Sequence, residues 1–182
     1  MHRRTFIAVT SAAIAAPYIA RAQSEYDPTP RYVRIKNDFA AGSLIVVPSR
    51  HFLFWVEAPR KANRYGVGVG RAGLDFKGKA TIDVKKEWPT WRPTKDMISR
   101  DPKAYARFVN NDYVQPGGKG NPLGARALYL FQNGRDTYYR IHGTNQPSSI
   151  GRSVSNGCIR MLNEHVADLY ERVPLGTVVT VV

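Results

Sequence analysis

From Ser43 to Val182 most apolar positions fall in short runs or in alternation, the pattern of strands with one or both faces buried. Leu44-Ile45-Val46-Val47 and His51-Phe52-Leu53-Phe54-Trp55-Val56 flank the turn residues Pro48-Ser49-Arg50 and predict a hairpin. His51 alternates with apolar neighbours, has no acidic or cysteine partner nearby, and reads as structural. Tyr65 to Gly70 continues as a glycine-rich strand, and Ala80 to Val84 alternates like a half-buried one. Ala127 to Gln132 and Arg135 to His142 enclose Asn133-Gly134, the strongest short hairpin signal, and Thr177 to Val182 reads as a closing apolar strand.

Helical periodicity is confined to two places. Val166, Leu169, Tyr170 and Val173 share one face behind Asn163, the expected N-cap, and Pro174 ends the run. His165 lies off that stripe and is expected to be solvated. Thr94 and Asp101 are the expected caps of one or two short helices between Lys95 and Phe108. Residues 88–93, 116–124 and 144–154 are irregular, and residues 23–41 mix charge with proline and predict an N-terminal arm. The fold class is therefore mainly β with a few short helices.

Residues 1–22 follow another pattern: His2-Arg3-Arg4 is basic, Phe6 to Ala16 is apolar, and Ala20-Arg21-Ala22 is a small-x-small cleavage site. This predicts an export signal, and the Arg-Arg-x-Phe-Ile order is similar to twin-arginine signals. The apolar run falls short of the roughly 20 residues a membrane span needs, so no stable transmembrane anchor is expected. The expected location is the periplasm of a bacterium, in association with the cell wall. The net charge of +13 exceeds what the signal's arginines supply and favours polyanions, while export argues against nucleic acid.

The candidate chemistry begins with Cys158, the only cysteine. With no disulfide partner and an oxidising destination, its thiol is either a small buried hydrophobe or a working group. A catalytic thiol needs a base, and His142 at a predicted strand end offers one; the carbonyl of Gly143 is a candidate to orient the imidazole. Backbone N–H groups across Asn156-Gly157-Cys158 are candidates for an oxyanion hole, and Arg152 and Arg160 add positive charge nearby. Gly68-x-Gly70-x-x-Gly73 matches a dinucleotide fingerprint only formally, because no amphipathic helix follows it. The glycine-rich 116–124 loop lacks the Gly-Lys-Ser/Thr of a phosphate cradle. Four scattered histidines with no Cys-Cys or His-x-x-x-His spacing predict no metal, and no cofactor is expected.

Ile141-His142-Gly143-Thr144-Asn145, Pro147-Ser148-Ser149-Ile150-Gly151 and Ser155-Asn156-Gly157-Cys158-Ile159-Arg160-Met161 resemble the signature of the L,D-transpeptidases, the YkuD-like catalytic domain of bacterial cell-wall enzymes. The likeness also takes in Lys86 to Trp91, Gly120 to Arg126 and the Leu169-Tyr170 helix, and so covers residues 42–182. It implies a β-sandwich with a helix after the catalytic cysteine, and a cysteine acyl-enzyme formed on peptidoglycan tetrapeptide stems. Cys158 would attack the carbonyl of the third stem residue, D-Ala would leave, and a second stem or the amine of a lipoprotein or outer-membrane protein would take the acyl group. His142 would be the general base and acid, with Gly143 orienting it. Ser155, Asn156, Gly157 and Arg160 would supply substrate and oxyanion contacts, Arg160 gripping a stem carboxylate through its planar fork. Many members carry histidine where this chain has Asn156. Two other functions compete: the same acyl-enzyme with water as acceptor, an L,D-carboxypeptidase or amidase, and a non-catalytic wall-binding module.

Overall fold

The alternating stretches form eleven strands and two α-helices in a computed structural model that describes residues 26–36, 39–74 and 76–182. The export signal expected at residues 1–22 lies outside the described residues. In chain order the elements are β1 Arg31–Arg34, β2 Ser43–Val47, β3 Phe52–Ala58, β4 Lys61–Gly66, β5 Val69–Gly70, β6 Gly78–Glu87 and α1 Lys95–Arg100. Then follow β7 Arg126–Gln132, β8 Arg135–His142, β9 Ser153–Ser155, β10 Ile159–Arg160, α2 Asn163–Arg172 and β11 Val178–Val181. Nine strands make one sheet in the order β1-β4-β3-β2-β11-β6-β7-β8-β10, and β5 and β9 make a small parallel pair.

Both predicted hairpins form. A short 3-10 turn at Pro48–Arg50 joins β2 to β3, and Asn133 and Gly134, at φ 52° and 71°, turn β7 into β8. His51 sits not on a strand but at the end of the 3-10 turn at φ 56°, with its Nε2 3.0 Å from Ser153 Oγ. In the glycine run that formally matched a dinucleotide fingerprint, Gly70 belongs to β5, Gly73 lies in a turn, and β6 rather than a helix follows. Gly68 exchanges two backbone hydrogen bonds with Arg160, at 2.9 and 2.8 Å, so the chain leaving β4 reaches across to β10 at the far end of the sheet order. That contact curls the nine strands around one core, which Leu44, Leu53, Ile82, Leu128, Ile141 and Met161 fill with no exposed surface. Helix α2 seats Val166, Leu169 and Val173 in the same core, and Tyr170 packs at its margin.

Three expectations change. The N-terminal arm contributes β1, which pairs antiparallel with β4; its residues carry no apolar alternation because two of the four are arginines, set opposite cations as Arg31↔Arg64 and Arg34↔Lys61. His165 is buried rather than solvated, tilted against the Tyr65 ring at 6.5 Å, because α2 buries more than the four-residue stripe. Asn163 begins α2 but does not cap it with its side chain. Its Oδ1 instead accepts the N–H groups of Ala125 (3.0 Å) and Thr144 (3.1 Å), and its Nδ2 donates to Thr144 O at 3.0 Å.

That carboxamide ties the two segments flanking His142 to the helix. Gly124, at φ +64°, and Gly143 pass so close that a Cβ on either would come within 2.1 Å of Asn163 Oδ1. Gly124 also ends the long excursion between β6 and β7, which is braced internally. Asn121 bonds the carbonyls of Pro89 and Pro116, and Arg92 donates to the carbonyls of Phe108, Asn111 and Tyr113. Thr94 caps α1 as expected, accepting Met97 N–H at 3.2 Å, and Asp101 caps the turn that follows through Ala104 N–H at 3.0 Å.

Replacing Asn163 by Ala leaves two buried backbone donors without acceptors, and the expected cost is about 3 kcal/mol of unfolding free energy. Denaturant unfolding of the variant measures it, and a loss below about 1 kcal/mol would mean that the clamp is dispensable.

Candidate active site

Strand β10 is two residues long and pairs parallel with the end of β8, setting Ile159 beside Ile141 and Arg160 beside His142. Met161 N–H then bonds His142 O at 2.8 Å. Ile141 and Ile159 point into the core, so the period-two alternation turns Arg140, His142, Cys158 and Arg160 to the opposite face. The register thus brings the predicted cysteine and histidine to one face of adjacent strands. The thiol is half-buried and remains accessible, with Sγ 3.9 Å from Tyr138 O. Tyr138 presents that carbonyl because the β7–β8 register slips between Tyr129 and Phe131, which leaves Tyr138 at φ +61°.

His142 is buried on both flanks, between β7, where it pairs with Ala127, and β10. Its Nδ1 lies 2.5 Å from Gly143 O; a carbonyl only accepts, so Nδ1 carries the proton and Nε2 is the basic nitrogen. Burial drives its pKa down to about 4; the Gly143 and Leu123 carbonyls oppose the shift, and the Arg160 and Arg140 charges add to it. Burial likewise pushes the Cys158 thiol up, against the lowering effect of a hydrogen bond to the Arg140 backbone and of the two guanidinium groups. Arg140 has much of its charge answered: it grips Asp136 through two 2.7 Å bonds and lies 4.1 Å from the Tyr129 ring centre. Burial thus disfavours the charged form of both side chains.

The loop before Cys158 shapes the rest. Ser155, expected among the substrate contacts, is turned inward: its Oγ donates to Cys158 O at 2.7 Å and accepts Gly157 N–H at 3.1 Å. This spends the Gly157 amide on the loop, so of the three expected oxyanion donors Gly157 is not one. None of the hydrogen bonds among the described residues uses the Cys158 N–H. Gly157 has φ +120°, and a Cβ there would come within 2.5 Å of Leu74 O and of a Tyr139 ring carbon, so only glycine fits. Arg160 contacts Gln146 Oε1 at 3.2 Å and keeps part of its surface open.

Asn156 is held at both ends of its carboxamide. Its Oδ1 accepts from Arg71 at 2.8 Å and its Nδ2 donates to the Tyr105 hydroxyl at 3.0 Å. Arg71 and Tyr105 escaped the sequence reading because they lie 85 and 51 positions away and carry no local motif. Two grooves open on the surface, the second of them beside this loop. One of about 620 Å³ runs past Phe76, Asp136 and Tyr139, and one of about 500 Å³ runs past Arg71, Arg100, Tyr105 and Asn156. No group of three or more metal-ligating side chains is assembled among the described residues.

Comparison with known proteins agrees with this framework. The family model described as the L,D-transpeptidase catalytic domain matches residues 41–181. A probable L,D-transpeptidase of Escherichia coli (strain K12), YbiS, is 40% identical over 113 residues, which is 61% of this chain and 34% of YbiS; this chain thus spans well under half of that relative. A crystal structure of a probable carnitine operon oxidoreductase, caia, from Brucella melitensis is 55% identical with a TM-score of 0.57, covering 82% of this chain and 90% of that one. An L,D-transpeptidase from Mycobacterium smegmatis, 17% identical, shares the fold at a TM-score of 0.54 over 76% of this chain and 57% of its own. With that family model spanning the strands from β2 to β11 and all three signature segments within it, this chain belongs to the YkuD family of L,D-transpeptidase catalytic domains.

Proposed function

We propose that this protein is a peptidoglycan L,D-transpeptidase that works through a Cys158 acyl-enzyme. The observation that carries the reading is the β8–β10 register, which sets Cys158 and His142 on one face while the Gly143 carbonyl fixes the imidazole tautomer. In the reaction, Nε2 of His142 takes the thiol proton as sulfur attacks the carbonyl carbon of the third stem residue. The carbon–nitrogen bond to D-Ala breaks, and the proton leaves with that amine. An acceptor amine, from a second stem or from an envelope protein, then attacks the thioester carbonyl and gives a proton to Nε2; the carbon–sulfur bond breaks, and that proton passes to sulfur and restores the thiol. The Cys158 N–H would stabilise the oxyanion in both halves, and Arg160 would meet a stem carboxylate.

Burial that disfavours both charged forms supports general-base catalysis at the moment of attack over attack by a preformed thiolate. The protein is proposed to act outside the cytoplasm on wall peptides, in keeping with the export signal read at residues 1–22 and the +13 charge. No helix among the described residues is long and apolar enough to cross a membrane. The oxidoreductase name of the Brucella structure finds little support in these residues: the glycine run that a dinucleotide would need opens no helix.

Incubation with disaccharide-tetrapeptide, followed by mass, should give cross-linked dimer with loss of D-Ala. Tripeptide monomer alone would make water the acceptor, and an unchanged substrate would sink the enzymatic reading. Cys158→Ala should abolish turnover, and His142→Ala should lower kcat by about 10² to 10⁴ while leaving substrate binding in place.

The pH dependence follows from the two displaced pKa values. Because His142 stays neutral down to about 4, the acid limb of kcat/KM should fall near pH 4 rather than near 6.5. Alkylation of Cys158 by iodoacetamide should climb steadily with pH above neutrality. A plateau of fast alkylation between pH 5 and 7 would instead reveal a thiolate–imidazolium pair.

A further inference from the structure

We propose that the groove rimmed by Arg71 and Arg100 is a carboxylate subsite, holding an acidic end of the stem peptide whose carbonyl lies at Cys158. It rests on the acyl-transfer reading and names a specificity element of the same site. Arg71 is rooted at the nucleophile loop: its backbone N–H bonds Ser155 O at 3.1 Å, and its carbonyl accepts Leu74 N–H at 3.0 Å. One guanidinium N–H is given to Asn156 Oδ1, which leaves most of the five-donor fork for a planar carboxylate.

Arg100 faces the same groove, anchored by its Nε to Asp96 O at 3.2 Å. Asp101 is the one acid among the described lining residues, and its Oδ1 is engaged by Ala104 N–H. Among the described residues neither guanidinium is in an ion pair, unlike Arg31, Arg126, Arg140 and Arg172. Tyr105 and Met97 form the opposite wall, and the Tyr105 hydroxyl ties that wall to Asn156.

Asn156 on the groove's edge is two residues from Cys158 in sequence and holds the Arg71 guanidinium, so the arginine-lined groove adjoins the nucleophile loop. The neutral Asn156 carboxamide holds a permanent cation in place. The carboxylate has two sources on a tetrapeptide stem, the C-terminal D-Ala and the side chain of the third residue.

Equilibrium binding to the full-length Cys158→Ala protein separates them, with three probes: the free-acid tetrapeptide, its C-terminal amide, and the amide of its third side chain. One of the two amides should bind about tenfold more weakly than the free acid, and that amide names the carboxylate held. Adding Arg71→Ala should weaken the free acid by about tenfold and abolish the difference between acid and that amide. Arg71→Lys should recover part of it, and Arg100→Ala should act in the same direction with a smaller effect. If Arg71→Ala weakens all three probes alike or none of them, or if both amides bind as the acid does, the subsite is wrong while the acyl-transfer reading stands. Failure of the Cys158→Ala protein to bind any probe would overturn both.

Discussion

The structure depends on one short parallel pairing. Strand β10 has only two residues, yet it lies between β8 on one side and the Gly68 segment on the other, with backbone hydrogen bonds in both directions. Without that double tie, Ile159 would leave the core, and Cys158 and His142 would have no common face. The long loops of this chain are affordable because the residues that need placing sit on or immediately beside strands, where backbone register does the positioning.

Burial of the histidine has an electrostatic consequence. In water, an imidazole and a thiol a few ångströms apart can exchange a proton freely. Here the lost hydration of the imidazolium outweighs the two carbonyls that favour it, and the arginines at 140 and 160 oppose protonation further. The same arginines lower the thiol, but its own burial outweighs them. Both shifts therefore disfavour charge on the two side chains.

Much of this was legible in the chain. Asn133-Gly134 and Pro48-Ser49-Arg50 named the hairpins because their conformations are required locally, and the 166/169/173 stripe named the α2 core face. The family likeness was legible because the segments that carry it are specific in residue type and order, and the family model covers them. What escaped depends on partners remote in sequence. β1 was hidden by its own charges, since strand formation there comes from pairing with β4 rather than from an apolar face. Asn163 looked like a cap because its neighbours are helical, yet its carboxamide serves two other segments. Ser155 turned inward because the tight 155–158 turn needed its hydroxyl more than solvent did.

The cationic rungs of β1 bear on how the molecule behaves in company. Like charges facing each other across a ladder weaken that ladder, so Arg31 opposite Arg64 and Arg34 opposite Lys61 carry a cost within the monomer. Their return is colloidal. A second copy approaching this exposed rim with its own rim would bring four more positive side chains against these four, and strand-to-strand propagation between molecules would stall before the backbones met.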